Sequence, residues 1–279
     1  MQPERMRPQI KVAIITGAGG GIGRALALEA SRRGIKLLLA GRRRAPLEET
    51  AALVGGAVSV EIQPCDVTDA GDRGRLIGEA ETLFGKLDYL VNNAGAVAVG
   101  RFVDMPAGEI ERLAAVNLAA PAALIQQALP LLRRAQGARI VNVGSMFGAI
   151  GFPRFAAYSA SKFALRGLSD ALRRELSADG IGVTYAAPRA TRTPAAERFA
   201  DLVEPMGMTL DPPERVARRL WDAVEAGRDR VTPGVGESLA LLVQSLAPRL
   251  VDRKLMQIEA RLRQACPGEE AAAPLATSR

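Results

Sequence analysis

The chain predicts an α/β protein built on one doubly wound, seven-stranded parallel sheet with helices on both faces. Three observations carry that expectation. Short β-rich runs alternate with longer helical patterns from one end to the other. The first strand passes at once through a glycine cluster into a helix. The strands Val12-Ala13-Ile14-Ile15 and Leu37-Leu38-Leu39 are continuously apolar, as strands buried on both faces must be.

Taken in order, strands are expected at Ile10–Thr16, Lys36–Ala40, Val58–Ile62, Leu87–Asn92, Arg139–Gly144, Gly182–Ala187 and Arg230–Thr232. Helices are expected near Ile22–Arg33, Pro46–Val54, Ala70–Phe84, Pro106–Arg134, Phe155–Ala178 and Pro213–Ala226. No repeat or linker divides the chain, so residues 1–235 read as one domain. Residues 236–265 read as a helical extension and 266–279, small and polar, as a disordered tail. In the extension, Leu239, Leu242, Val243, Leu246, Leu250, Val251, Leu255, Ile258 and Leu262 recur at three and four, with Arg249, Arg253, Lys254, Arg261 and Arg263 between them. That is an amphipathic helix broken or kinked at Pro248. It could pack on the body or a neighbouring subunit, act as a lid, or lie at a membrane interface.

Composition narrows the chemistry. The 279 residues are 48% hydrophobic and 24% charged, ordinary for a globular protein, which sets aside disorder, collagen and coiled coil. No unbroken apolar run reaches the roughly 18 residues of a bilayer span, and Met1 to Lys11 has no apolar stretch of signal-peptide type. A cytoplasmic protein, membrane-peripheral if the extension touches lipid, is expected. With no histidine, Ser-His-Asp and Cys-His catalysis and His-ligated metal are excluded, and no metal site is expected. Cys65 and Cys266 read as two unrelated thiols. Net charge is +7, but 32 of 37 basic residues are arginines scattered over helix faces, and aromatics are 4%. Nucleic acid is therefore not an expected partner.

The glycine turn Thr16-Gly17-Ala18-Gly19-Gly20-Gly21-Ile22-Gly23 has the spacing G-x-x-x-G-x-G. Gly17, Gly19, Gly21, Ile22 and Gly23 would let a pyrophosphate approach the backbone and rest on a helix N-terminus. The second strand ends in Ala40-Gly41-Arg42-Arg43-Arg44 with no acid to take a ribose 2′-hydroxyl. Arg42, helped by Arg43, suits the 2′-phosphate of NADP(H), with NAD(H) second. Further on, Tyr158-Ser159-Ala160-Ser161-Lys162 puts a phenol and an ammonium four apart on one helix face, and Ser145 ends the fifth strand. A nearby lysine favours the phenolate, which suits proton transfer to or from a hydroxyl.

With these motifs in place, roughly residues 10–235 resemble the short-chain dehydrogenase/reductase family, a Rossmann-type fold. The matching pieces are Thr16–Gly23, Asp66-Val67, Asn92-Asn93-Ala94-Gly95, Asn117, Ser145, and Tyr158 with Lys162. The resemblance implies Tyr158 as general acid in carbonyl reduction, with Lys162 holding the nicotinamide ribose and lowering the Tyr158 pKa. It implies Ser145 on the substrate oxygen and Asn117 on a water linking Lys162 to solvent. Asp66 and Val67 would contact adenine, Asn93 and Gly95 would shape the cofactor floor, and Pro188, Thr191 and Thr193 would belong to the cofactor side, Pro188 and Thr193 at the carboxamide. Two positions depart from the family pattern. Gly20 stands where NADP users often carry a base, and Arg189 replaces a glycine in Pro188-Arg189-Ala190-Thr191-Arg192-Thr193.

The family's substrate segments carry Val97, Val99, Met146, Phe147, Ile150, Phe152, Phe155, Phe199, Leu202, Met206 and Met208 here. Such a lining suits a small lipophilic ketone or aldehyde. Arg154, Arg189 and Arg192 could instead meet a carboxylate or a carrier-linked acyl chain, so a 3-oxoacyl-thioester reductase stays open, as does a non-catalytic NADPH-binding regulator. A homodimer or homotetramer is expected.

Overall fold

The computed structural model describes residues 10–56 and 58–265; Cys266 and the tail expected at 266–279 lie outside them. Seven strands, β1 (Val12–Thr16), β2 (Lys36–Gly41), β3 (Val60–Pro64), β4 (Tyr89–Asn92), β5 (Arg139–Val143), β6 (Gly182–Ala186) and β7 (Arg230–Val231), stand in the order β3-β2-β1-β4-β5-β6-β7. Every neighbouring pair is parallel. The continuous apolar runs are explained by their two faces. Ala13, Ile15, Leu37, Leu39, Tyr89 and Val91 feed one core cluster, while Ile14, Leu38, Ala40 and Leu90 feed the other. With side chains alternating, a strand covered on both sides leaves room for a polar residue only where a hydrogen-bond partner meets it.

Helices α1 (Gly21–Arg32), α2 (Arg44–Val54) and α8 (Pro213–Glu225) cover the first face. Trp221 of α8 is fully buried there, donates its indole N–H to the Leu26 carbonyl at 3.0 Å and meets Tyr89 edge-on at 5.2 Å. Helices α3 (Ala70–Phe84), α4 (Glu109–Ala114), α5 (Ala120–Arg133) and α6 (Ala156–Glu175) lie on the opposite side. Asp69 caps α3 by accepting from the Asp72 N–H at 2.7 Å.

The helix expected at Pro106–Arg134 starts three residues later, because Gly108 sits in the left-handed region at φ 79°. It is also interrupted by a π turn at Ala115–Ala119. Counted as a helix, 109–133 is long and apolar enough to cross a bilayer. That differs from the expectation drawn from unbroken runs. Its apolar side is occupied: Leu113, Leu124, Ile125, Ala128, Leu131 and Leu132 are buried in the protein. β3 begins two residues later than expected, at an edge where pairing with β2 alone sets its ends. The short α7 (Ala200–Val203) and the 3-10 turns Phe102–Asp104, Met146–Gly148 and Pro194–Phe199 carry no sequence periodicity and were not expected.

The C-terminal extension is two helices, so of the two expectations for Pro248 the break holds and the kink does not. α9 (Val235–Leu246) stops at Ala247, whose φ of −141° and ψ of 62° are not helical, and α10 (Pro248–Ala265) starts on the proline. Proline has no N–H to offer a preceding turn and is well placed as the first residue of a helix.

Candidate active site

Strand order reverses between β1 and β4, so a crevice opens beyond their C-terminal ends, where open parallel sheets place their ligands. Thr16 ends β1 and Asn93 follows β4, and the two are laced together. The Thr16 hydroxyl accepts from the backbone N–H groups of Asn93 and Ala94, both at 3.0 Å, and the Asn93 amide donates to the Thr16 carbonyl at 2.9 Å. Gly17 turns at φ 66°, in the left-handed region. At Gly23 a Cβ would lie 2.1 Å from the Gly17 carbonyl oxygen and 2.6 Å from the Asn93 amide nitrogen, so only glycine lets the helix start this close to the turn.

The resulting cleft, about 430 Å³, is lined by Gly17, Gly19, Gly21, Ile22, Gly23, Arg42, Asn93, Gly95, Lys162 and Thr193, all expected there, together with Arg43 and Pro46. A glycine-walled groove against a helix N-terminus, with a cation at one end and an ammonium at the floor, fits a dinucleotide. Asp66 and Val67 are not among its walls. The Asp66 carboxylate accepts from the Thr68 N–H and hydroxyl at 2.9 and 2.7 Å, while the Val67 carbonyl accepts from Arg73 at 2.7 Å. The Thr68 hydrogen bonds hold the Asp66 carboxyl below its usual range, and the Arg42 charge adds to the effect.

A second cavity, about 730 Å³, adjoins the first. Ser145, Pro188 and Thr191 face it, and Tyr158 and Thr193 line both. Tyr158 thus stands at the junction, with Ser145 on the cavity side and Lys162 on the cleft side. Ser145 caps the Met146–Gly148 turn, its hydroxyl accepting from the Phe147 N–H at 3.1 Å. Lys162 is buried and donates from Nζ to the Val143 carbonyl at 3.0 Å; burial pushes its pKa down to about 8. Burial pushes the Tyr158 phenol above its ordinary 10, opposed by its hydrogen bond with Ser145. The net direction is upward, with burial the largest cause. The ammonium lies 5.9 Å from the ring centroid, and desolvation of the phenolate outweighs its attraction.

Asn117, in the π turn, is buried with its side chain engaged. Its oxygen accepts from the Ala96 N–H at 2.8 Å, and its amide donates to the Ala96 carbonyl and the Ser161 hydroxyl, both at 2.9 Å. It pins the segment after β4 onto α6 and makes no direct bond to Lys162.

Two supports escaped the sequence reading, Tyr185 and the pairing of the motif residue Asn92 with Asn142. Tyr185 of β6 places its hydroxyl 3.4 Å from the Ser145 N–H and donates to the Ser145 and Lys162 carbonyls at 3.3 Å, behind both residues. Asn92 donates to Asn142 at 2.9 Å, which donates to Ser169 of α6 at 2.9 Å, tying β4, β5 and α6 below the site. No local pattern marks either; the one signal was polar residues inside otherwise apolar strands.

Of the expected pocket wall, Val97, Met146, Phe147, Ile150, Phe152, Phe155, Phe199, Met206 and Met208 line the cavity, while Val99 and Leu202 pack behind it. Phe147 stacks on Phe152 at 4.4 Å, and Phe155 meets Tyr158 edge-on at 6.5 Å. The remaining wall comes from the extension: Leu239, Val243, Leu250, Val251, Leu255 and Ile258 close one side. Of the arginines offered for a substrate anion, Arg189 lines the cavity but, like Arg154, is ion-paired. Arg189 is held by Asp211 and by Glu237 of α9, each at 2.8 Å, and Arg154 by Glu259 of α10 at 2.9 Å. Arg192 is exposed and outside the cavity wall.

Residues 11–202 match the short chain dehydrogenase family model. The chain is 33% identical over 276 residues to dehydrogenase/reductase SDR family member 7B of Bos taurus, covering 92% of this chain and 84% of that one. A short-chain dehydrogenase/reductase of Burkholderia phymatum in complex with NAD superposes with TM-score 0.80 at 25% identity, over 87% of this chain and 95% of that one. The 3-ketoacyl-(acyl-carrier-protein) reductase of Brucella melitensis complexed with NADH does so with TM-score 0.72 at 28% identity, over 79% and 95%. The chain, an oxidoreductase with a nicotinamide-dinucleotide cleft, belongs to the short-chain dehydrogenase/reductase family.

Proposed function

We propose that the protein is an NADP(H)-dependent reductase of lipophilic ketones or aldehydes. The observation that carries this reading is Tyr158 at the meeting point of a glycine-walled cleft and a mostly apolar cavity. A carbonyl seated in the cavity meets the Tyr158 hydroxyl and the Ser145 hydroxyl from one side. Bound nicotinamide supplies the hydride. Tyr158 supplies the proton to the carbonyl oxygen, and its burial keeps the phenol protonated at neutral pH, as a general acid must be. Ser145 donates a hydrogen bond to the same oxygen as negative charge develops there. Lys162, below about pH 8, presents an ammonium that steadies the phenolate left behind. Tyr185 and Asn117 hold these groups in place through the backbone.

The choice of NADP(H) is supported by Arg42 in the cleft wall, with Arg43 beside it and no acid at the end of β2. The alternative of a carrier-linked 3-oxoacyl substrate loses its main support once Arg154 and Arg189 are paired with carboxylates. A binding-only regulator would have no need of Tyr158, Ser145 and Lys162 converging on one point.

The test is reduction of a panel of lipophilic ketones and aldehydes against an acetoacetyl thioester, with both cofactors. Turnover of the lipophilic carbonyls with NADPH is expected. Tyr158→Phe abolishes it and leaves NADPH affinity within a few-fold; a Tyr158→Phe enzyme that still turns over sinks the mechanism. Arg42→Ala erases most of the preference for NADPH over NADH, about 1.5–3 kcal/mol for a hydrogen bond to a charged group. Equal affinities in the wild type overturn the cofactor choice.

A further inference from the structure

On the outside of α9, Val235, Leu239, Leu242 and Leu246 follow one another at four, three and four residues, and all are more than half exposed, 53–87%. Leu250 and Met256 of α10 continue the exposed apolar surface. No residue of α9 is buried, so an apolar helix lies on the molecule with its outer face uncovered. Two of these side chains, Leu239 and Leu250, also line the 730 Å³ cavity, together with the exposed Lys254. The stripe therefore runs directly into the mouth of the cavity.

The exposed charges around it are mostly positive. Glu237 and Glu259 are turned inward onto Arg189 and Arg154, leaving Arg249, Arg253, Lys254 and Arg261 exposed beside the stripe against Asp252. A second copy of the chain docked through the same face would bring these cations together, because an isologous contact sets a patch against itself. An anionic lipid surface accepts both the leucines and the cations. At 12 residues α9 is about 18 Å long, too short to cross a bilayer, and fits one lying in its plane.

We propose that the α9–α10 surface docks in the interface of an anionic lipid bilayer, so that the cavity opens onto the lipid rather than onto water. Delivery of substrate from lipid rests on the reading of the cavity as a lipophilic carbonyl site; the docking itself does not.

The experiment is sedimentation of the full chain, without substrate, with vesicles of phosphatidylcholine alone and of phosphatidylcholine mixed with phosphatidylglycerol. The wild type is expected in the pellet with the anionic vesicles and to be released by salt. Arg249→Glu/Arg253→Glu should lower the partition about thirtyfold or more, and Leu242→Glu/Leu246→Glu at least as much. Neither pair lines the cavity or the cleft, so NADPH binding, circular dichroism and turnover of a water-soluble ketone stay as in the wild type and certify the fold. Wild type left in the supernatant, equal partition to both vesicle types, or unchanged partition of either variant overturns the proposal. So does a wild-type dimer that Leu242→Glu/Leu246→Glu converts to monomer without altering vesicle binding. Vesicle binding without turnover of any lipophilic carbonyl would sink the substrate reading and leave the docking intact.

Discussion

At Lys162 one buried ammonium couples catalysis to stability. Its folded-state pKa of about 8 lies below the ordinary 10.5, so the folded protein gives up this proton first. Between those values the unfolded chain holds more protons, and stability rises with pH. Cys65 acts in the opposite sense: burial raises it from 9.0 to about 11, so its contribution falls as pH passes 9. The window from pH 8 to 9 therefore shows Lys162 most clearly. Denaturant unfolding without nucleotide should give Lys162→Met a pH response between 8 and 9 that is less positive than wild type by about 1 kcal/mol. Parallel responses would mean that the lysine is not desolvated as its surroundings imply. Lys162 and Tyr158 were legible in the chain because a helix puts positions i and i+4 on one face. Their pKa directions were not, because desolvation is set by what packs around them, including β5 and Tyr185 of β6.

Among the elements, α10 departs furthest from what its sequence alone conveys. Its spacing announced an amphipathic helix but not the surface that receives its apolar side. Leu262 is almost completely buried in a cluster with Phe155 and Met206, and Ile258 packs on the same group. Arg154, held at φ 67° and buried, reaches Glu259 from the opposite side. Leu262→Ala removes the most deeply buried contact of the helix and should weaken its docking by about 2–5 kcal/mol, the range for emptying a core leucine site. Hydrogen exchange is the check: amides of 248–265 should exchange faster in the variant, with those of β1, β4 and β5 unchanged. Equal protection of α10 in both proteins would show that Leu262 does not hold it down. The π turn at Ala115–Ala119 shows the same limit of local reading. The periodicity from 109 to 133 is helical throughout, and one wide turn inside it aims Asn117 at Ala96.

On the scale of the whole molecule, two chambers share one wall, and each should be open to independent damage. Gly23→Ala drives a methyl into the Gly17 carbonyl and should abolish nucleotide binding. Met206→Ala, on the far wall of the cavity, should raise KM for a lipophilic ketone several-fold and leave the NADPH Kd within about twofold, since sites without shared partners behave additively. Titration of nucleotide and steady-state kinetics on both variants would show it; a Met206→Ala enzyme with equally weakened NADPH binding would mean that the chambers are coupled. The sequence by itself determined the parallel sheet, the glycine turn after β1, the Ser145-Tyr158-Lys162 group and the amphipathic character of the C-terminal segment. Each of these is written in local spacing: continuous apolar runs, glycines before a helix, and a pair four apart. Only the tertiary structure decided that Arg154 and Arg189 pair with carboxylates of the extension, and that α9 and α10 roof the cavity with a leucine stripe left in the open. Those outcomes depend on which surfaces meet across 48 to 105 residues of chain, as in Arg189 with Glu237 and Arg154 with Glu259. Pairings at such separations are set by packing of the finished sheet, and a periodicity read along the chain carries no record of them.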